Sequence, residues 1–151
     1  MNADKTETTL QEFKINVKLL LAALWAVLMF IYLYVDIFAL YRPGVIDGII
    51  AGRVWELEIT QGWAVGALVL MAIPSAMVFL SLALPAKPNR WTNLVVACLY
   101  VVVGVGNVIG ETWASYILGS VVEFVLLALI LWQAWTWPRQ AAGSETEGSS
   151  A

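Results

Sequence analysis

Four long apolar runs separated by short polar breaks set the pattern of this chain: Val17–Tyr41, Trp63–Leu84, Trp91–Ile109 and Trp113–Trp137. Each approaches the ~20 residues that a helix rising ~1.5 Å per residue needs to cross ~30 Å of hydrocarbon. The pattern predicts an all-α, four-helix transmembrane bundle, with helices at about 17–41, 63–84, 91–109 and 113–137 inside one domain, 9–138. Polar tails, 1–8 and 139–151, flank it and are expected to be disordered.

The breaks predict how the helices connect. Thr9-x-x-Glu12 has the capping-box spacing, so Thr9–Lys18 is expected either as an interfacial lead-in continuous with the first span or as a frayed helix end. That span is too long for the apolar core of a cleaved signal peptide and is expected to stay as a signal anchor. One connection, about 42–62, is long. Its Pro43–Arg53 part suits a short interfacial helix with Pro43 near the first turn, and Trp55–Thr60 alternates like an edge strand. Pro85–Arg90 and Gly110–Thr112 are tight, which predicts that helices 2 and 3, and 3 and 4, are antiparallel neighbours.

Composition agrees with a membrane setting. Hydrophobic residues make up 61% of 151 and charged residues 13%, more apolar surface than a soluble domain of this size hides. Of the eight basic residues, Lys5, Lys14, Lys18, Lys87, Arg90 and Arg139 fall on the side of the termini, against Arg42 and Arg53 on the other. The positive-inside rule then predicts both termini in the cytoplasm and loop 42–62 outside. Trp91, Trp132, Trp135 and Trp137 would form the inner belt, and Trp55, Trp63 and Trp113 the outer one. The net charge of −3 shows no basic run that suits nucleic acid. With no histidine and a single cysteine, Cys98, the chain offers no histidine ligand for haem, no redox pair and no good zinc or copper site. No cofactor, metal or enzymatic activity is therefore expected.

Candidate chemistry rests on carboxylates inside the spans, because a charge there is costly and commonly functional. Asp36 lies about five residues, ~8 Å of rise, from the outer end of helix 1, and shares a face with Trp25, Met29 and Tyr32. Two readings stand: a water-accessible site for a proton, cation or amine, or an ion pair with Arg42 or Arg53 that fixes the loop. Glu123 is nearer mid-membrane, on a face with Ser115, Gly119 and Ser120. It serves either as a proton- or ligand-binding group or as a protonated carboxyl bonded to a neighbour. Glu111, beside Asn107, reads as a solvated residue favouring the start of helix 4, or as part of a polar vestibule.

Gly104-Val-Gly106-Asn-Val-Ile-Gly110 has GxGxxxG spacing and no βαβ context, so a nucleotide role is rejected. Gly106-x-x-x-Gly110 and Gly62-x-x-x-Gly66 are expected instead as close-contact faces, within a protomer or across a dimer, and Gly119 as a small residue admitting another helix. Pro74 frees the Leu70 carbonyl and is expected to kink helix 2, with Ser75 helping to resatisfy the backbone. Cys98 is expected as a small buried residue.

The pieces Ala23-Leu-Trp25, Met29-Phe30, Tyr32, Asp36, Tyr41, Pro43-Gly44, Thr60-Gln-Gly62, Met71-Ala-Ile-Pro-Ser75, Asn89-Arg-Trp91, Glu123 and Trp137-Pro138 carry a resemblance. Over about residues 14–138, the chain resembles a family of small bacterial four-helix membrane proteins of unknown function. The resemblance implies a bacterial origin, and with it the cytoplasmic (inner) membrane, and a shared four-span design; it carries no catalytic role. More loosely, the chain is similar to small multidrug-resistance transporters, whose membrane acid lies deeper in helix 1 and which lack the long loop. Its general shape also resembles DoxX-type proteins, without a shared motif. Two function classes follow. One binds or transports a proton, cation or small amphipathic solute through Asp36 and Glu123. The other is a non-catalytic subunit or assembly factor that docks on another membrane protein through its glycine faces and loop.

Overall fold

The computed structural model describes residues 15–138. Four helices carry the fold: α1 (Val17–Ala39), α3 (Gln61–Ala83), α4 (Ala86–Val108) and α5 (Ala114–Trp135). Each is long and apolar enough to cross a membrane. Between α1 and α3 lie a one-and-a-half-turn helix, α2 (Val45–Ile50), and a hairpin of β1 (Arg53–Val54) and β2 (Leu57–Glu58). A short helix is present in the expected stretch, though Pro43 precedes it; the expected extended segment Trp55–Thr60 is instead a hairpin that begins at Arg53 and turns at Trp55. Gly44, at φ 81°, is the cap of α2. A bulky side chain at that φ would be strained, which explains a glycine there.

Helix ends follow local chemistry. Asn16 caps α1, its Oδ1 accepting the Lys18 amide at 2.9 Å, with Asn16 itself extended. The expected continuity of α1 with an upstream lead-in is thus broken at Asn16, and the Thr9–Glu12 capping box lies outside the described residues, as do both tails. At its far end α1 stops at Ala39, short of the expected Tyr41. Arg42 precedes proline and is steered away from the helical region. Thr60 caps α3 by accepting the Trp63 amide at 3.1 Å. α4 starts at Ala86, five residues before the expected Trp91. Pro88 falls in its first turn, where amides have no intrahelical partner and a missing N–H costs nothing. α5 ends at Trp135 rather than Trp137, just before Pro138.

α1 is the hub. It packs along α3 on one side and α5 on the other, and α5 packs along α4. The antiparallel neighbourhood expected of the last two helices holds. That expected of α3 and α4 is reduced to a sparse contact despite their tight turn. The core is built from Leu21, Trp25 and Leu28 of α1, Met77 of α3, Ala97 and Tyr100 of α4, and Leu127 and Ile130 of α5. Many large apolar side chains point outward, among them Leu68, Phe79, Val102 and Leu118. In water that surface would be untenable; in lipid it is the required exterior.

At the end of the bundle nearest the termini, buried polar groups tie three helices together. Trp25 Nε1 donates to Asn93 Oδ1 at 2.7 Å. Asn93 Nδ2 donates to the Asn89 carbonyl and side chain, and Asn89 Nδ2 donates to the Ser81 carbonyl at 2.6 Å. The network closes the α3–α4 turn. Its members are mutually satisfied, so burial costs little and unpairing any one would cost more.

Candidate functional site

The face of α1 carrying Trp25, Met29, Tyr32 and Asp36 turns inward in its first half and towards a cavity in its second. That cavity, about 60 Å³, is formed by the loop-side halves of α1, α3, α4 and α5. Asp36 and Glu123 both line it, with Tyr32, Tyr100, Tyr116 and Asn107. Glu123 is 7% exposed and accepts a hydrogen bond from the Tyr32 hydroxyl at 2.7 Å. Asp36 is exposed at the cavity and makes no ion pair or side-chain hydrogen bond among the described residues.

Glu123 fits because Gly104 lies opposite. A Cβ at position 104 would come within 2.7 Å of Glu123 Oε1 and 3.2 Å of the Phe124 ring. Gly119 serves the α1–α5 contact in the same way, since a Cβ there would collide with Val35. Gly119 was expected to admit another helix, but the glycines of the two GxxxG motifs behave differently. Gly66, Gly106 and Gly110 have nothing within 4 Å of a built Cβ, and Gly62 meets only its own cap, Thr60, at 3.7 Å. Within the protomer the GxxxG faces are therefore not packing seams, because both lie on the outside of the bundle. Gly110 is instead a turn residue, at φ 83°.

Pro74 is buried, and α3 runs through it without interruption. The Leu70 carbonyl that it frees accepts the Tyr100 hydroxyl from α4. Ser75, expected to help, bonds the Met71 carbonyl at 2.8 Å instead. Tyr100 also meets Trp25 edge-on, with ring centroids 6.2 Å apart, and Tyr32 at 6.4 Å. One side chain thus links the proline site, the core and the wall of the cavity. Cys98, expected buried, faces outward: the inward positions of α4 are Asn93, Ala97, Tyr100 and Gly104, and residue 98 is off that line.

Arg42 pairs with Glu111, not Asp36. Its Nη1 lies 3.0 Å from Glu111 Oε2, and the two side chains are only 10% and 3% exposed. Glu111 Oε1 accepts the amides of Thr112 and Trp113, each at 2.8 Å, so this carboxylate both opens α5 and anchors α1. It is an enclosed clasp rather than a solvated residue. Burial alone would push its carboxyl up, but the Trp113 amide, the Arg42 guanidinium and the Thr112 amide together hold it below the ordinary glutamate value. The Arg42 guanidinium carbon also lies 5.1 Å from the Trp113 ring centre, 5.3 Å from Tyr116 and 5.7 Å from Trp55. Arg53 makes no ion pair among the described residues.

Sequence reasoning missed Tyr100, Tyr116, Gly104 and the Asn89–Asn93 network. The signal was present in α4, where Asn89, Asn93, Ala97, Tyr100 and Gly104 recur every three or four residues as one polar or small stripe.

Four apolar helices enclosing buried polar layers define a multi-pass helical membrane protein. A model for a family of unknown function, DUF6326, matches residues 8–144, and the chain belongs to that family. No curated protein and no solved structure matches it.

Proposed function

We propose that this protein binds a proton or a small inorganic cation between its helices, through Glu123 and Asp36. The observation that supports the reading is the shared cavity: two carboxylates and three phenols line one space of about 60 Å³. An uncompensated charge out of water costs several kcal/mol, so acids placed there call for a proton or a cation. Oxygen donors of this kind suit protons and hard cations. Size narrows the choice further. Pockets for larger organic ligands run to ~300–1,000 Å³, so an amphipathic solute does not fit this cavity. Glu123 holds the bound species, Tyr32 orients its carboxylate, and Asp36 forms the entrance. The basic-residue bias further supports a cytoplasmic-membrane protein with both termini inside and this entrance facing out.

The test is difference infrared spectroscopy on the reconstituted chain, titrated with acid and separately with sodium and potassium. A carboxyl band that responds to one of these titrations and disappears in Glu123→Gln supports the reading. Identical spectra for wild type, Glu123→Gln and Asp36→Asn overturn it.

A second reading, a subunit docking on another membrane protein or a second copy, draws on the outward placement of Gly66 and Gly106. Gentle extraction followed by native mass spectrometry separates the two. A fixed complex that Gly66→Leu or Gly106→Leu dissolves would favour docking.

A further inference from the structure

Two further cavities meet at Arg42, and neither is lined by Asp36 or Glu123. The first, about 440 Å³, lies under the loop between α1 and α3, with Arg42, Arg53, Trp55 and Glu111 in its walls. The second is a groove of about 360 Å³ between α1 and α5, running from Ile31 to Ala39 along α1. Its lining is almost wholly apolar, and Arg42 at its mouth is the one charged residue there.

The chemistry at Arg42 is incomplete. Nη1 is satisfied by Glu111, but Nε and Nη2 are buried with no acceptor among the described residues. Glu111 supplies neither: Oε2 accepts from Nη1 alone, and Oε1 holds two amides. Aromatic faces offset part of the cost of a buried guanidinium, but they do not replace hydrogen-bond acceptors. Across the same cavity Arg53 contributes a second cation, so two guanidiniums stand against one carboxylate. Arginine's forked donors match phosphate oxygens in particular.

The groove decides what carries the phosphate. Ile31 to Ala39 spans ~12 Å of helix rise, close to the ~15 Å depth of one hydrocarbon leaflet. Arg42 follows the end of α1 by three residues, at the level where lipid headgroups begin. We propose that Arg42 and Arg53 hold the headgroup of one anionic phospholipid, whose acyl chain lies in the α1–α5 groove.

The experiment uses the full chain in mild detergent, stripped of lipid, and native mass spectrometry. The probes are phosphatidylglycerol, phosphatidylcholine of the same acyl composition, and soluble glycerol phosphate. The expected result is one phosphatidylglycerol per chain, favoured at least about tenfold over phosphatidylcholine. Arg53→Gln, which breaks no internal bond, lowers that preference by about fivefold. Ala39→Phe, which fills the groove, lowers retention of both lipids while the unfolding midpoint stays put. Equal retention of the two lipids by wild type overturns the proposal, as does an Arg53→Gln preference that matches wild type. Displacement of bound lipid by glycerol phosphate at comparable concentration also overturns it, since the site would then read a soluble anion and not a lipid.

Discussion

Removing a single oxygen from Tyr100 tests how this bundle tolerates a proline in the middle of a membrane helix. Pro74 has no amide, so the Leu70 carbonyl loses its helical donor, and the Tyr100 hydroxyl takes that place from α4. Tyr100→Phe keeps the ring against Trp25 and Tyr32 and strands only the carbonyl. A buried acceptor left without a partner costs about 1–3 kcal/mol, and interhelical bonds measured within bilayers average ~0.6 with a maximum near 1.7. We expect a loss of about 1–2 kcal/mol, about a fivefold to thirtyfold shift in the folded-to-unfolded ratio. In a Pro74→Ala background the amide of residue 74 returns to the Leu70 carbonyl, and the same Tyr100→Phe change should cost under about 0.5 kcal/mol. Pro74→Ala by itself mixes a gain in helix propensity with a lost buried ring, so its sign is uninformative. The cycle cancels both and isolates the coupling between the two positions.

The assay is reversible unfolding of the four proteins in mixed micelles of increasing denaturing-detergent fraction. A coupling near 1 kcal/mol supports the substitution of hydroxyl for amide. If Tyr100→Phe costs the same in both backgrounds, the hydroxyl serves something other than the proline gap. If it costs nothing beside Pro74, the carbonyl is satisfied by other means.

Three further outcomes are expected. Glu111→Gln should destabilise the loop end by about 1–3 kcal/mol, because it weakens the only acceptor that Arg42 has among the described residues. Because the folded Glu111 carboxyl sits below its ordinary value of 4.5, its contribution is complete above that value and lost as pH falls through the lower folded one. The stability gap between wild type and Glu111→Gln, followed by thermal unfolding in detergent, should therefore be constant near neutrality and close in acid. Gly104→Ala should cost about 1–3 kcal/mol by driving a Cβ against Glu123, and Gly119→Ala about as much against Val35. Gly66→Ala and Gly106→Ala should be neutral or gain up to ~1 kcal/mol in the isolated chain.

The hydrophobic pattern was enough for the four spans because membrane helices satisfy their own backbone and advertise their length in apolar residues. Their ends were less legible, being decided by single residues. Asn16 stops α1 from extending upstream, and Pro88 admits an early start to α4 because a first-turn proline forfeits no bond. Of the candidate site, Asp36, Glu123 and Tyr32 stood out as polar groups in apolar runs. What periodicity could not give was partnership. Arg42 chose Glu111 over Asp36 because the hub position of α1 brings its end to the start of α5, a fact of helix packing. The GxxxG spacing misled for the same reason: spacing marks a smooth helix face but not what lies across it. Gly104 and Gly119, outside those motifs, are where other groups approach.

The two ends of the bundle solve the problem of buried polarity in opposite ways, and the difference bears on function. Near the termini, Trp25, Asn93, Asn89 and Ser81 exchange donors and acceptors until the network closes, and such a network has little to offer a ligand. Towards the loop, Glu123 has one hydroxyl, Asp36 has no ion-pair partner among the described residues, and Arg42 keeps two buried donors idle. A chain able to satisfy four polar side chains so fully at one end is not short of the means to do so at the other. The termini end also leaves one buried donor idle, Arg90 Nε. The other two, both on Arg42, lie beside the cavities that Asp36, Glu123 and Arg53 line, and that concentration points to ligands there. On that argument, saturating the loop end with an acidic headgroup and a bound cation should raise the unfolding midpoint, while the Asn89–Asn93 end gains nothing from either. Asn93→Ala should therefore lower stability by the same amount with or without those ligands. A ligand-dependent cost at Asn93 would mean that the two ends are one cooperative network, and that this division between them is wrong.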